Sequence, residues 1–180
     1  MMKYFLIIIC LLFPFFNAYA GDSIVIYRMG GKDQAVWGLL KKSFDSKGYN
    51  VSIYEKADNI DRHLENINRI NKTNASLMLA MDLRTSEKAD VFIAFSDAKK
   101  GSGRFLSIEE VAGQHADNSM ILAKEIATSF GRRAKGLSLF PLLGVDMPGI
   151  FIKIECTNEQ ANEMLNKLHE GIQKFMKRSQ

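Results

Sequence analysis

A lysine and a carboxylate close an apolar run in Met147-Pro148-Gly149-Ile150-Phe151-Ile152-Lys153-Ile154-Glu155-Cys156-Thr157-Asn158. Strand alternation puts Phe151, Lys153 and Glu155 on one face and Ile150, Ile152 and Ile154 on the other. A charged pair at the C-terminal end of a strand is where open α/β sheets build their sites, although a central strand whose end reaches water has the same pattern. Tyr27-Arg28-Met29-Gly30-Gly31-Lys32 is a second candidate. Its backbone amides and the cations Arg28 and Lys32 suit an anion at a helix start, and the segment reads equally as a plain tight turn. Cys156 follows the strand with no histidine placed to activate it, so it reads as a small buried thiol. There is no Gly-x-Ser-x-Gly elbow, no Cys-x-x-Cys and no Cys/His cluster.

The three histidines share no i, i+4 spacing. His63 falls beside the apolar stripe of a helix and is expected to be partly buried or capping. His115 lies in a polar loop and is expected to be solvated. His169 sits on the last helix and is expected to be exposed.

The elements that must position these residues follow a leader. Lys3 is a short basic start, Phe5 to Phe16 is apolar and too short to span a bilayer comfortably, and Asn17-Ala18-Tyr19-Ala20 has the small residues of a cleavage signal. Residues 1–20 are therefore read as a signal peptide, and residues 21–180 as one α/β domain. Cys10 lies within the leader, so the mature chain keeps Cys156 alone, which excludes a disulfide-stapled scaffold. The formal net charge is +4. No aromatic-interleaved basic motif accompanies it, so nucleic acid is not an expected partner.

Strand and helix signals alternate. Ser23–Tyr27, Tyr49–Tyr54, Leu77–Met81 and Ala89–Phe95 read as strands, and Leu137–Leu143 as a short strand or loop. Gln34–Lys47 has helical spacing, with Val36, Leu39, Leu40 and Phe44 on one side and Gly48 at its end. Asp58–Lys72 and Asp117–Phe130 are the next helices. Lys99–Arg104 reads as a loop, and Thr157-Asn158-Glu159-Gln160 as a capping box opening the last helix. This order predicts a single layered domain with a mainly parallel sheet flanked by helices.

The motif order resembles the zinc-dependent N-acetylmuramoyl-L-alanine amidases that cleave bacterial peptidoglycan. Tyr27–Asp33 is similar to their first strand and turn, Leu64–Asn71 to a following helix, and Ala75–Asp82 to a histidine-bearing strand. Ala89–Ser96 matches the next strand, Met147–Asn158 the Met-Pro motif near the end, and Gly171–Phe175 the closing helix. The resemblance spans nearly the whole mature chain. It implies a zinc held by two histidines and a glutamate, with a second glutamate moving the proton. In this chain Met29 and Asp82 stand where those histidines belong, only Asp33 is near the glutamate's place, and Lys153 aligns with the proton-moving glutamate.

A methionine and two short acids without imidazole make a poor zinc site, and Lys153 beside it repels a cation. The resemblance therefore implies an exported, periplasmic or secreted, amidase-like protein with no catalytic zinc. Arg28, Lys32 and Lys153 are its expected binding residues for a peptidoglycan fragment or an envelope protein. The alternative is an active amidase whose metal set is built from Asp33 and Asp82, with Glu155 as the catalytic carboxylate. A third reading is an assembly role, with the cleft collapsed by Met29 and Phe151.

Overall fold

A computed structural model describes residues 22–31, 33–103 and 105–179. The leader, Lys32 and Cys10 lie outside the described residues. In chain order the elements are β1 (Ser23–Gly30), α1 (Gln34–Ser46), β2 (Asn50–Glu55), α2 (Ile60–Asn71), β3 (Leu77–Thr85), β4 (Asp90–Ser96), α3 (Ile108–Gly113), α4 (Ala116–Ser129), β5 (Lys135–Leu137), a 3-10 turn (Phe140–Leu142), β6 (Gly149–Cys156) and α5 (Ala161–Ser179).

The six strands form one sheet in the order β2-β1-β3-β6-β4-β5. β1, β2, β3 and β6 run parallel, β4 is antiparallel to β6, and β5 is parallel to β4. The expected α/β domain with a mainly parallel sheet is the fold observed. β3 is central, paired at its edges with β1 and β6 and packed on both faces, and Leu77–Leu83 is buried throughout. That explains why Leu77-Met78-Leu79-Ala80-Met81 is continuously apolar rather than alternating.

Helices α1, α4 and α5 cover one face. Val36, Trp37, Leu40 and Phe44 of α1, with Leu122 and Ile126 of α4 and Leu165, Leu168 and Ile172 of α5, pack against Ile24, Ile26, Leu79, Met81, Ile150 and Ile152. α4 and α5 are held close by Gly171, where a Cβ would meet the Ile126 Cα at 2.5 Å. The second face is covered more sparsely. Ile67 and Ile70 of α2 and Leu142 of the 3-10 turn pack with Val25, Tyr27, Met78 and Ala80.

The unequal cover explains β6. Ile150, Ile152 and Ile154 are fully buried under the helices, and Phe151, Lys153 and Glu155 on the sparse side are only half-buried. The start of β6 is pinned from several sides. Ser119 Oγ accepts from the Gly149 amide at 3.0 Å. Asn71 donates to the Gly144 carbonyl and accepts from the Asp146 amide, both at 2.9 Å. Thr157 and Gln160 exchange the reciprocal bonds expected of a capping box immediately before α5.

The structure differs from the sequence reading mainly in lengths. β1 runs on to Gly30 and β3 to Thr85, past their apolar cores, because each keeps its ladder partner there. α3 falls in a segment with no run long enough for helical periodicity to be seen. It is set by a Ser107–Glu110 capping box. Among the described residues no helix is long and apolar enough to cross a membrane.

Candidate functional site

The polar residues of the central strands collect at the C-terminal ends of β1, β3 and β6. Gly30 pairs with Asp82, Asp82 with Lys153, and Arg84 with Glu155. Period-2 alternation puts Asp82, Arg84, Lys153 and Glu155 on the sparsely covered face. Two ion pairs result. Arg84 grips Asp82 in a bidentate bond, Nε to Oδ1 at 2.9 Å and Nη2 to Oδ2 at 2.6 Å. Lys153 Nζ lies 2.8 Å from Glu155 Oε1. Asp82 is buried, whereas the Arg84 side chain is 54% exposed. The bond to Asp82 pushes the Arg84 pKa up, which keeps the guanidinium charged under all ordinary conditions.

Glycine at position 30 makes room for the Asp82 carboxylate. A Cβ there would sit 2.5 Å from Asp82 Oδ1. The next residue, Gly31, has φ +84° and lies against the Leu83 carbonyl, where a Cβ would be 1.7 Å away. The Gly-Gly pair therefore lets β1 end hard against β3, and the chain then turns directly into α1.

Asp33 caps α1. Its Oδ1 accepts from the Ala35 amide at 2.9 Å and the Val36 amide at 3.4 Å, and its Oδ2 accepts from the Thr85 hydroxyl at 2.9 Å. The Thr85 bond is the first cause holding its carboxyl below the usual carboxylate range, with the two amides adding to it. The Ala35 and Val36 amides at the start of α1 are thus already satisfied by a resident carboxylate. Between these elements opens a cleft of about 510 Å³ lined by Gly31, Asp33, Leu83, Arg84 and Thr85.

The expected trio of cations is not assembled. Arg28 points to the opposite face of the sheet. Its guanidinium lies 4.8 Å over the Trp37 ring, 3.1 Å from Glu55 Oε1, and donates to the Gly31 carbonyl at 2.7 Å. The physical reason is strand parity: residue 28 falls on the Ile24/Ile26 side, away from Lys153. Lys32 lies outside the described residues. Lys153 is at the strand ends, paired with Glu155. Arg84 was missed because the apolar run that marks β3 stops before it; the available signal was that Asp82 and Arg84 continue the alternation. Met29 and Phe151 are half-buried against the Tyr27 and Ala80 side of the core.

The carboxylates do not form a metal site either. Among the described residues, no three His, Cys, Asp or Glu side chains gather as a metal ion needs. Both Asp82 oxygens are held by Arg84, Asp33 is held by α1 and Thr85, and Glu155 is paired with Lys153. Two cations inside the would-be donor set oppose a third. The zinc implied by the resemblance does not fit these residues.

The histidines lie elsewhere. His63 is fully buried rather than partly so. Its Nδ1 is 3.1 Å from the Tyr27 hydroxyl and its ring packs on Phe140 at 4.5 Å. Burial pushes its pKa down, outweighing an opposing contribution from the Leu143 backbone. Its Nε2 makes no hydrogen bond of good geometry. His169 is buried, not exposed, because α5 turns that side toward α1. Ser43 Oγ is 2.9 Å from its Nε2, and its ring packs against both Phe44 and Tyr49. Burial, with a smaller push from Lys47, lowers its pKa to about 4. His115 precedes α4 and is 3.0 Å from Asp146 Oδ1, so it is partly covered rather than freely solvated. Cys156 is buried, and burial raises its thiol pKa.

With this geometry in view, the likeness to solved structures can be read. The crystal structure of the apo N-acetylmuramyl-L-alanine amidase of Mycobacterium abscessus matches over 87% of this chain and 99% of its own, with a TM-score of 0.61 at 11% identity. The chain has the amidase fold. The N-acetylmuramoyl-L-alanine amidase of Clostridium difficile 630 matches over 88% and 98%, with a TM-score of 0.56 at 11% identity. The amidase AmiC2 of Nostoc punctiforme matches over 88% and 99%, with a TM-score of 0.51 at 15% identity. No protein-family model and no curated protein matches the sequence. At these identities the likeness is one of fold, and function has to be argued from the strand-end residues.

Proposed function

We propose that this protein is an exported, amidase-like domain of the bacterial envelope that binds a peptidoglycan-related ligand, or an envelope partner, without hydrolysing it. One observation carries the reading. On an amidase fold, the strand ends hold the ion pairs Asp82–Arg84 and Lys153–Glu155. An amide hydrolase needs a Lewis acid or an activated nucleophile at that place, together with a group able to move a proton. A guanidinium locked to a carboxylate offers neither, but charged N–H groups at the rim of a cleft are suited to binding. Export rests on the leader signal in residues 1–20.

The test uses the full chain expressed with its own leader. The expected result is a mature N-terminus near residue 21, co-sedimentation with insoluble peptidoglycan and no release of peptide from it. Stoichiometric zinc in the purified protein, with chelator-sensitive release of stem peptide, would overturn the proposal.

A further inference from the structure

β2 is an edge of the sheet, and among the described residues no strand lies beyond it. Two bonds fix which way its backbone groups point. The Asn50 amide donates to the Asp22 carbonyl at 3.1 Å and the Lys56 amide to the Arg28 carbonyl at 2.9 Å, and the register between them is unbroken. In a parallel ladder every second residue bonds to the neighbouring strand, so Asn50, Ser52, Tyr54 and Lys56 face β1. Val51, Ile53 and Glu55 turn their N–H and C=O groups outward. This open row is closed at both ends. The Glu55 carbonyl accepts from Asn66 Nδ2 of α2 at 3.1 Å, and the Tyr49 amide donates to the Phe44 carbonyl at 3.3 Å. Val51 and Ile53 therefore keep complete outward pairs. Their side chains register with Ile24 and Ile26 on the α1 side of the sheet, and Ile53 is 39% exposed. Asn50–Glu55 has no proline, lysine or bulge, the usual protections of a strand edge.

We propose that the β2 edge pairs with the β2 edge of a second copy of this chain, antiparallel, about a two-fold axis at Ser52. Val51 of each copy then stands opposite Ile53 of the other. Directly opposed residues with outward groups exchange both N–H···O bonds, so the two pairs use every complete outward pair on the edge. The two-fold keeps the α1 sides of both copies together, so each exposed Ile53 meets a Val51 and the apolar strip becomes continuous. Glu55 falls opposite Tyr49 and Lys56 opposite Gly48, so like charges do not meet in the ladder. Sliding by two residues sets Val51 against Glu55, whose carbonyl Asn66 holds, or Ile53 against Tyr49, whose amide Phe44 holds. One symmetric register thus satisfies the edge. An isologous contact closes on itself and stops at a dimer. It joins the two sheets into one and points the strand-end sites of the two copies in opposite directions. It does not depend on what those sites bind.

Sedimentation equilibrium on the purified mature protein tests this. A ladder this short belongs with interfaces below roughly 1,200 Å², so a weak dimer is expected, with Kd about 100 μM. The weight-average mass should climb from monomer toward dimer between about 10 μM and about 1 mM. Ile53→Pro removes an outward amide and no donor to β1, the strand setting in which proline is tolerated. It should keep the native circular dichroism and weaken self-association at least about tenfold.

Ser52→Cys reads the register. At the axis the two Ser52 Cα atoms form a non-hydrogen-bonded pair about 4.5 Å apart, inside the roughly 4.4–6.8 Å that a disulfide spans. Oxidation with diamide should link this variant into dimers, and the native Cys156 is buried and does not compete. Asn50→Cys, two residues from the axis in each copy, should link far less. A mass that stays monomeric up to about 1 mM overturns the proposal. So does self-association that Ile53→Pro leaves unchanged, or Asn50→Cys linking as readily as Ser52→Cys, because the copies then meet elsewhere. Should the proline variant fail to fold, the two cysteine variants decide.

Discussion

The strand ends hold charge without imidazole, while the helical layers hold imidazole without charge. Arg84, Lys153 and Glu155 face solvent in part, Asp82 is buried beneath Arg84, and all four are paired. His63 and His169 are buried against aromatic rings, and burial pushes both toward the neutral form. The residue types usual for metal chemistry are present in this chain, but position rather than inventory decides what they do. A histidine on a buried helix face is a polar piece of core. An arginine at a strand end can be a binding group.

If that division holds, substitutions in the helical layers should change stability most. The largest effect expected is for Gly171→Val, which forces side-chain atoms into the Ile126 backbone. It should cost about 3 kcal/mol or more, with a fall in Tm of roughly 10 °C in a thermal melt. An unchanged Tm would mean that α4 and α5 are not in close contact.

The next effect concerns pH. The folded pKa of His169, about 4, lies below its ordinary 6.5. Between those values the unfolded chain binds more protons than the native one, so stability rises with pH through this window. It is fully present above about 6.5 and lost as pH falls toward 4, a change of about 3 kcal/mol from this group. His63 shifts in the same direction. Urea unfolding at pH 7 and pH 4.5 measures the slope, and His169→Gln should flatten it. An identical slope in that variant would remove His169 from the account.

At the strand ends the expected stability effects are smaller. Lys153→Met breaks a half-exposed pair and should shift Tm by only a degree or two, because exposed pairs contribute little. Asp33→Ala should lower Tm slightly through loss of its cap, and Asp33→Asn should restore it. A large Tm loss from Lys153→Met would blur the division, since the strand ends would then be part of what holds the fold together.

Much of the architecture was legible because burial writes a period into the sequence. β6 showed its two faces through Ile150, Ile152 and Ile154 against Phe151, Lys153 and Glu155. α5 announced itself through Thr157 and Gln160, which make the bonds their spacing suggests. What failed was tertiary. Arg28 looked like a neighbour of Lys153, but parity sends it through the sheet to Trp37 and Glu55. His169 looked exposed because nothing local says that α1 lies across it. Arg84 was overlooked because polar residues at the end of an apolar run resemble a loop, although β3 keeps pairing with β6 as far as Cys156.

The missing side chain at position 30 ties two distant codons together. A Cβ there would strike the acid at position 82, so that carboxylate would have to shift and its grip on Arg84 would loosen. Sequence drift at one site is thus conditional on the other. In descendants of this chain the two should change as a pair, and a lineage that keeps the acid should keep the glycine however far the rest of the first strand diverges.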